Sequence, residues 1–183
     1  MRLVHSVSAE EPFAVFEDFK NEKITDFEVI KKKIEILTDK DAGNRKGIID
    51  SPIIMTVYSK NVPDLSLVDL PGITKIPIKD SDHPEDIERI TKNLIRKYIQ
   101  DSRTIILCVV MGNVDVSTSD AIQLAREYDK NGERTLCALT KLDLVTDGSD
   151  IRNTLLNQEV ILKYGYIGCK NRSPADMKNN LTV

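Results

Sequence analysis

The sequence lacks tryptophan, has only three cysteines and two histidines, and contains no apolar run as long as a membrane span. A membrane-spanning helix needs about 20 consecutive apolar residues, so we expect none here. Three cysteines without metal-ligand spacing do not make a disulfide framework, and we expect buried free thiols in a reducing compartment. They are Cys108, Cys137 and Cys169. Basic residues are not in excess either, and the net charge of −3 argues against nucleic acid as a partner.

The chain is long enough for one sizeable core. Its 183 residues are 40% hydrophobic and 30% charged, which is ordinary for a globular domain. We expect a single domain over residues 1–183, because two comfortable domains need a longer chain. The one concentrated basic run, Lys31–Lys33, is expected to lie on the solvated face of a helix.

Predicted strands and helices alternate along the sequence. The apolar patterns predict strands at 1–7, 53–58, 65–70, 104–110, 135–140 and 166–170. They predict helices at 25–38, 84–100, 120–130 and 150–163. Such alternation is typical of an α/β fold with a mostly parallel sheet and helices on both faces, in which ligands bind at the carboxyl ends of the strands.

Two details of this sheet can be checked. A turn at 61–64 suggests that the strands at 53–58 and 65–70 form a hairpin. The strand at 104–110 is almost wholly apolar, which predicts burial on both faces.

The segment Leu65–Lys75 carries the first chemical signal. An apolar strand delivers Asp69 into a turn that contains Gly72. A carboxylate at a strand end can hold a magnesium-bound water, and a glycine lets its backbone N–H approach a phosphate. The spacing alone is weak, since Asp129–Gly132 also satisfies it and is typical of an ordinary turn after a helix.

A second signal is Thr140-Lys141-Leu142-Asp143, which follows another apolar strand. Asp143 can accept hydrogen bonds from guanine N1–H and the 2-amino group, donors that adenine does not present, so that adenine would leave a buried carboxylate unpaired. The aliphatic stem of Lys141 can lie against the base. A lone Thr-Lys-x-Asp is more often a solvated loop, but the two motifs in this order favour a guanine-nucleotide site.

Together these residues resemble the dynamin family of large GTPases. The similarity covers about residues 47–174, and its segments are Leu67–Pro77, Thr118–Ala121, Gly132–Thr135, Thr140–Leu144, Gly165–Gly168 and Asn171–Ser173. The resemblance implies GTP or GDP and Mg²⁺ as cofactors, GTP hydrolysis, dimerisation through the nucleotide face and membrane remodelling. It also implies a cytoplasmic protein, associated with membranes or microtubules only through regions that this sequence does not contain.

The resemblance assigns roles to individual residues. Asp69, through water, and Gly72 would sense magnesium and the γ-phosphate. Thr140, Lys141, Asp143, Asn171 and Arg172 would hold the guanosine. Asp115 would lie in a loop that crosses the dimer interface and orders the partner's active site. The alternative is that Asp115 or Ser117 caps the next helix, and both readings stay open.

One part of the family's pattern is missing. Eight glycines are present and none is followed by lysine, so the P-loop Gly-x-x-x-x-Gly-Lys-Ser/Thr is absent. The switch threonine is absent too. We therefore expect a three-layer P-loop-GTPase-like fold lacking the first strand and the P-loop, with Met1 just after them.

Three hypotheses follow from this absence. The chain is a truncated, inactive piece of a dynamin-like GTPase; or a catalytically dead protein that binds or inhibits a full-length dynamin-like partner, or its own copies, through the G-domain interface; or a product that does not fold. In each case we expect no measurable GTP turnover and at best weak guanine affinity.

Overall fold

The computed structural model describes residues 1–19, 22–42, 50–76, 86–145, 151–173 and 176. The chain divides into two compact units, Met1–Ile95 and Arg96–Val183, which we call the N-terminal and the C-terminal unit. Helix α2 (Ile87–Ile99) contains the boundary between them. Each unit has its own sheet, and each is described by itself.

The N-terminal unit has a mixed four-stranded sheet in the order β2-β3-β1-β4. Its strands are β1 (Arg2–His5), β2 (Phe13–Phe16), β3 (Met55–Ser59) and β4 (Leu65–Ser66). Strand β1 runs parallel to β3, whereas β2 is antiparallel to β3 and β4 is antiparallel to β1.

The predicted hairpin between the strands at 53–58 and 65–70 is wrong, because β1 lies between β3 and β4. The turn between those two strands is bonded to β1 instead. The backbone N–H of His5 donates to Asp64 Oδ1 at 2.8 Å, and His5 Nδ1 lies 3.3 Å from the carbonyl oxygen of Val62. These contacts hold the turn beside β1, and the strand that follows the turn, β4, pairs with β1 and not with β3.

The prediction of a buried strand running to Asp69 is also wrong. Strand β4 has only two residues, and Val68 is 57% exposed. The antiparallel ladder pairs Ser66 with Arg2. Leu67 then bonds Met1 in both directions: its N–H donates to the Met1 carbonyl at 2.8 Å, and its carbonyl accepts from the Met1 amino group at 2.9 Å. Leu67, Val68 and Asp69 belong to no strand, so the segment directly before Asp69 has no regular secondary structure.

Helix α1 (Phe27–Ala42) packs on this sheet and is longer than predicted. It begins after Asp26, whose Oδ1 accepts the N–H of Glu28 at 2.8 Å, as an N-cap does. The apolar core of the unit consists of Phe16, Ile24 and Leu37, with Phe19, Ile30, Ile53 and Met55 packed against it. Strand β2, which supplies Phe16, was not among the predicted strands.

The predicted basic run behaves only partly as expected. Lys31 and Lys32 are exposed, but Lys33 is half-buried. Its ammonium bonds Glu22 at 2.5 Å and lies 4.0 Å from the centre of the Phe19 ring.

The C-terminal unit has a parallel sheet in the order β5-β6-β7, which confirms the α/β prediction. Its elements are β5 (Ile106–Met111), α3 (Asp120–Tyr128), β6 (Thr135–Thr140), α4 (Arg152–Leu155) and β7 (Tyr166–Gly168). The register pairs Cys108 with Cys137 and Met111 with Thr140.

Strand β5 is buried on one face only, contrary to the prediction. Ile106, Cys108 and Val110 are buried, whereas Leu107 and Val109 are 57% and 59% exposed. Helix α3 covers the buried face, where Cys108 Sγ donates to the carbonyl of Ala121 at 3.5 Å.

The predicted helix at 150–163 is reduced to the single turn of α4. Asn157 ends it, because its φ of 59° lies in the left-handed region. The side chain of Asn157 then bonds the backbone N–H and carbonyl of Leu162 at 3.0 and 2.8 Å. Thr154 donates to Glu159 at 2.7 Å, so the segment folds into a closed turn.

Candidate nucleotide site

Three loops leave the carboxyl ends of the three parallel strands in the C-terminal unit. We call them the β5 loop (112–118), the β6 loop (141–145) and the β7 loop (169–173). The strand ends are in register, since Met111 pairs with Thr140 and Leu139 with Gly168. The loops therefore emerge side by side at one edge of the sheet, where α/β proteins bind ligands.

The β6 loop has a backbone that favours a functional role. Lys141 has φ 54° and ψ 41°, a left-handed conformation that costs a non-glycine residue about 1–2 kcal/mol. A 3-10 turn over Leu142–Leu144 follows, closed by the Leu144 N–H on the Lys141 carbonyl at 2.9 Å. Strain of this kind is commonly found at ligand sites.

Thr140 is anchored while the two candidate base-contacting residues are free to meet a ligand. Thr140 Oγ1 donates to the carbonyl of Val110 at 3.2 Å. The side chains of Lys141 and Asp143 are exposed. The argument that adenine would leave a buried carboxylate unpaired therefore does not apply to the ligand-free chain, because Asp143 faces water until a base covers it.

The β7 loop carries the exposed residues Asn171 and Arg172. Its end is fixed by Ser173 and Asp176, which bond each other reciprocally. Asp176 Oδ2 accepts from the N–H and hydroxyl of Ser173 at 2.8 and 2.6 Å, and Ser173 Oγ accepts the N–H of Asp176 at 3.1 Å. The bonds from Ser173, helped by nearby basic charges, lower the pKa of Asp176. This is the reciprocal pattern of a capping box.

In the β5 loop Asp115 caps a short turn. Its Oδ1 accepts the N–H of Ser117 at 2.8 Å at the start of the 3-10 turn Val116–Thr118, and the bonds from Ser117 lower its pKa. The carboxylate is nevertheless exposed. Asp115 thus caps the 3-10 turn that precedes α3, whereas α3 itself begins after Ser119 and has no side-chain cap, so the expected capping of that helix by Asp115 or Ser117 is not seen.

Asp69 and Gly72 belong to the N-terminal unit and lie in an open segment. Asp69 is exposed, and a Cβ built on Gly72 would meet no atom within 4 Å. The open surroundings leave room for an ion that keeps several of its waters, as Mg²⁺ does, but Asp69 alone does not make a metal site. Among the described residues no cluster of three His, Cys, Asp or Glu side chains could hold a metal.

Asp129 confirms the interpretation of its motif as a turn. It is 8% exposed, and its carboxylate accepts the N–H groups of Glu133 and Arg134 and the hydroxyl of Thr135 at 2.9, 3.0 and 2.6 Å. Burial raises its pKa, but these hydrogen bonds, from Thr135 first, outweigh burial and lower it.

Arg134 is a structural residue that the sequence did not single out. Its guanidinium donates to the carbonyls of Ile99, Thr104 and Tyr128 at 2.8, 2.7 and 3.1 Å. It thereby joins the ends of α2 and α3 to the segment before β5. Only its place in a family-like segment marked it.

The cysteines follow the prediction in two cases of three. Cys108 and Cys137 are buried, and burial raises the pKa of their thiols to about 12 and about 11. Cys169 is only half-buried, because it lies beyond the end of β7. All three are free thiols.

Fold and site together define the class: a mixed α/β protein with polar motifs at the carboxyl ends of parallel strands. The chain belongs to the dynamin family, whose model matches residues 2–142. It is 44% identical over 173 residues to a Dynamin-1-like protein of Danio rerio and 42% identical over 179 residues to that of Mus musculus. It is 43% identical over 171 residues to Dynamin-2 of Bos taurus.

These alignments cover 94%, 98% and 93% of the chain but only 25%, 24% and 20% of the relatives. The chain thus spans about a quarter or less of the curated relatives it matches. No helix within the described ranges is long and apolar enough to cross a membrane.

Proposed function

We propose that residues 1–183 are part of a GTP-binding and GTP-hydrolysing domain of a dynamin-like, membrane-remodelling protein of the cytoplasm. The observation that carries this proposal is the β6 loop. Its backbone is left-handed at Lys141, and the side chains of Lys141 and Asp143 are exposed. The neighbouring β7 loop adds the exposed residues Asn171 and Arg172. Asp143 accepts from guanine, Lys141 covers the base, and the β7 loop residues flank the base and ribose. Thr140 anchors the loop.

At the phosphate end of the nucleotide, Asp69 and Gly72 would sense magnesium and the γ-phosphate. When bound, Mg²⁺ would neutralise phosphate charge, and Asp69 would hold it through water. Because no glycine precedes a lysine, the donors of a P-loop are missing from this sequence. We therefore propose that the chain alone binds guanine nucleotide weakly and does not turn over GTP.

The test is a titration of the chain with fluorescent GDP, followed by competition with unlabelled GDP or ADP. We expect GDP and not ADP to compete, and Asp143→Asn to weaken GDP binding by about 10- to 100-fold, the worth of charged hydrogen bonds. Asparagine offers an amide donor to the carbonyl that xanthine has in place of the 2-amino group, so the variant should gain affinity for xanthosine diphosphate.

The matched control is Asp39→Asn, which removes an equal charge from an exposed site on helix α1. It should change neither affinity. Equal competition by ADP and GDP, or unchanged GDP affinity in Asp143→Asn, would contradict the guanine site. Turnover of GTP by the chain that Asp69→Ala abolishes would contradict the proposed inactivity.

A second candidate function is a catalytically dead fragment that binds a full-length dynamin-family partner or another copy of itself. The exposed β5 loop favours it, because Asp115 is held in a defined turn and still faces solvent. If it is correct, adding the chain to a full-length relative lowers that protein's GTP turnover. Asp115→Ala should relieve this effect and Asp39→Ala should not.

A further inference from the structure

Leu142, the residue between Lys141 and Asp143, packs against glycines of the two neighbouring strand ends. A Cβ built on Gly112 would lie 2.7 Å from Leu142 Cδ2, and one built on Gly168 would lie 2.7 Å from Leu142 Cδ1. Carbon atoms in contact normally lie about 3.5–4.0 Å apart. The two methyl groups of Leu142 therefore occupy the space that a side chain at either glycine would need.

The two glycines stand where the neighbouring loops begin. Gly112 opens the β5 loop, and Gly168 is the last residue of β7, directly before the β7 loop. Each loop is also bonded to β6: the Gly112 N–H donates to the Thr140 carbonyl at 2.7 Å, and the Cys169 N–H donates to the Leu139 carbonyl at 2.7 Å. One side chain of the β6 loop thus touches the start of both other loops.

We propose that Leu142 is a positioning residue that holds the β5, β6 and β7 loops as one unit. This inference rests on the proposed function, because the β6 and β7 loops are the proposed guanosine-binding elements. Its consequence is that the base-binding turn and the loop of Asp115 cannot move independently. Guanine nucleotide bound at the β6 loop would then fix the β5 loop, which carries the surface proposed for a partner.

The geometry favours this role over that of an ordinary core leucine. Leu142 is only half-buried and is not part of the buried core, which in this unit includes Cys137, Leu139 and Leu162. Close approach of Leu142 to both glycines is a relation between loops at the site. A Cβ built on Gly112 would also lie 3.1 Å from Ile151 Cδ1 and 3.2 Å from the Thr140 carbonyl oxygen, so that position is enclosed on several sides.

The first test is a double-mutant cycle on the full chain without ligand. Gly168→Ala should lower the melting temperature by about 2 to 12 °C, the usual range for overpacking in a domain of this size. In the Leu142→Ala background the same change should cost almost nothing, because the space has been vacated. Losses that simply add would overturn the proposed contact.

The second test is amide hydrogen exchange. If Leu142 only stabilised the fold, replacing it would speed exchange throughout the C-terminal unit and not mainly in the loops. Leu142→Ala should speed exchange in the β5 and β7 loops more than at Cys108 and Cys137 in the strands. Leu144→Ala is the matched control, since Leu144 is 51% exposed in the same turn. An equal rise at loops and strands, or the same effect from Leu144→Ala, would overturn the positioning role.

The third test adds GDP with Mg²⁺ and follows backbone amide chemical shifts. In the unmodified chain we expect shifts in the β6 and β7 loops and also in the β5 loop; Leu142→Ala should remove only the last of these. A β5-loop response that persists in Leu142→Ala would overturn the inference. If GDP moves no amide of the β6 loop, the proposed guanine site fails, while the cycle and the exchange still decide the role of Leu142.

Discussion

The spacing Asp-x-x-Gly occurs at Asp69–Gly72 and at Asp129–Gly132, and the two copies differ in their physical setting. Asp129 is buried and accepts three hydrogen bonds, whereas Asp69 is exposed. Gly132 has φ +67°, and a Cβ there would lie 2.9 Å from the carbonyl oxygen of Ile161. At Gly72 a Cβ would meet nothing within 4 Å.

The difference teaches how to separate a structural motif from a functional one. At Asp129 the fold itself uses both residues, since Gly132 donates its N–H to the Asp129 carbonyl at 3.0 Å and turns the chain into β6. Asp69 is exposed and Gly72 borders open space, so this geometry gives neither residue a comparable role in the fold. The comparison therefore predicts that substitutions destabilise the fold at Asp129 and Gly132, whereas the same substitutions at Asp69 and Gly72 leave its stability unchanged.

Asp129→Ala should give the largest effect. It removes the acceptor of three donors, two backbone N–H groups and the Thr135 hydroxyl, and leaves them without a partner in a buried turn. We expect a loss of about 2–4 kcal/mol in the free energy of unfolding, measured by urea denaturation. A loss below about 0.5 kcal/mol, the range of an ordinary surface substitution, would remove the contrast with Asp69.

Gly132→Ala should come next. Alanine would have to adopt a positive φ and approach a backbone carbonyl, at a cost of about 1–3 kcal/mol. Gly72→Ala is the matched control and should change stability by less than about 0.5 kcal/mol, because the site is open and its φ is not positive. Equal losses in the same urea titrations would show that Gly72 is also required by the fold.

A smaller effect concerns pH. Because the hydrogen bonds lower the pKa of Asp129 in the folded chain, its carboxylate stabilises the fold above the unfolded value, near the ordinary 3.8. This stabilisation is lost as the pH falls below that value toward the folded pKa. The difference in stability between the unmodified chain and Asp129→Asn should be constant near neutral pH and shrink in acid. A difference that grows in acid would contradict the lowered pKa.

The same contrast explains how much of the fold the sequence could predict. Strand β6 was predicted well because it pairs on both sides and its apolar residues are satisfied within its own sheet. Strand β4 had an equally apolar sequence but pairs only with β1, so its length depends on a partner far away in the chain. Helix α4 was overestimated because the left-handed turn at Asn157 overrides an apolar pattern.

The residues of the candidate site also differ in whether the sequence could predict them. Thr140, Lys141 and Asp143 could be picked out because they form a motif at the end of a predicted strand, whereas Asn171 and Arg172 were assigned by the family resemblance. The two groups follow adjacent parallel strands, β6 and β7. Leu142 could not be found from its sequence, since its role depends on glycines 30 and 26 positions away. Packing between loops leaves no periodic signal along the chain.

The smallest effect on stability, and the sharpest test of the comparison, is expected at Asp69. Asp69→Ala should leave the free energy of unfolding unchanged within about 0.5 kcal/mol, because the carboxylate is exposed and lies outside any strand. It should nevertheless reduce the gain in GTP affinity that Mg²⁺ provides, measured by titrations with and without the ion. Asp39→Ala should retain that gain. If Mg²⁺ strengthens binding equally in Asp69→Ala, the open motif is as uninvolved in ligand binding as the buried one, and exposure alone does not distinguish a functional Asp-x-x-Gly from a structural one.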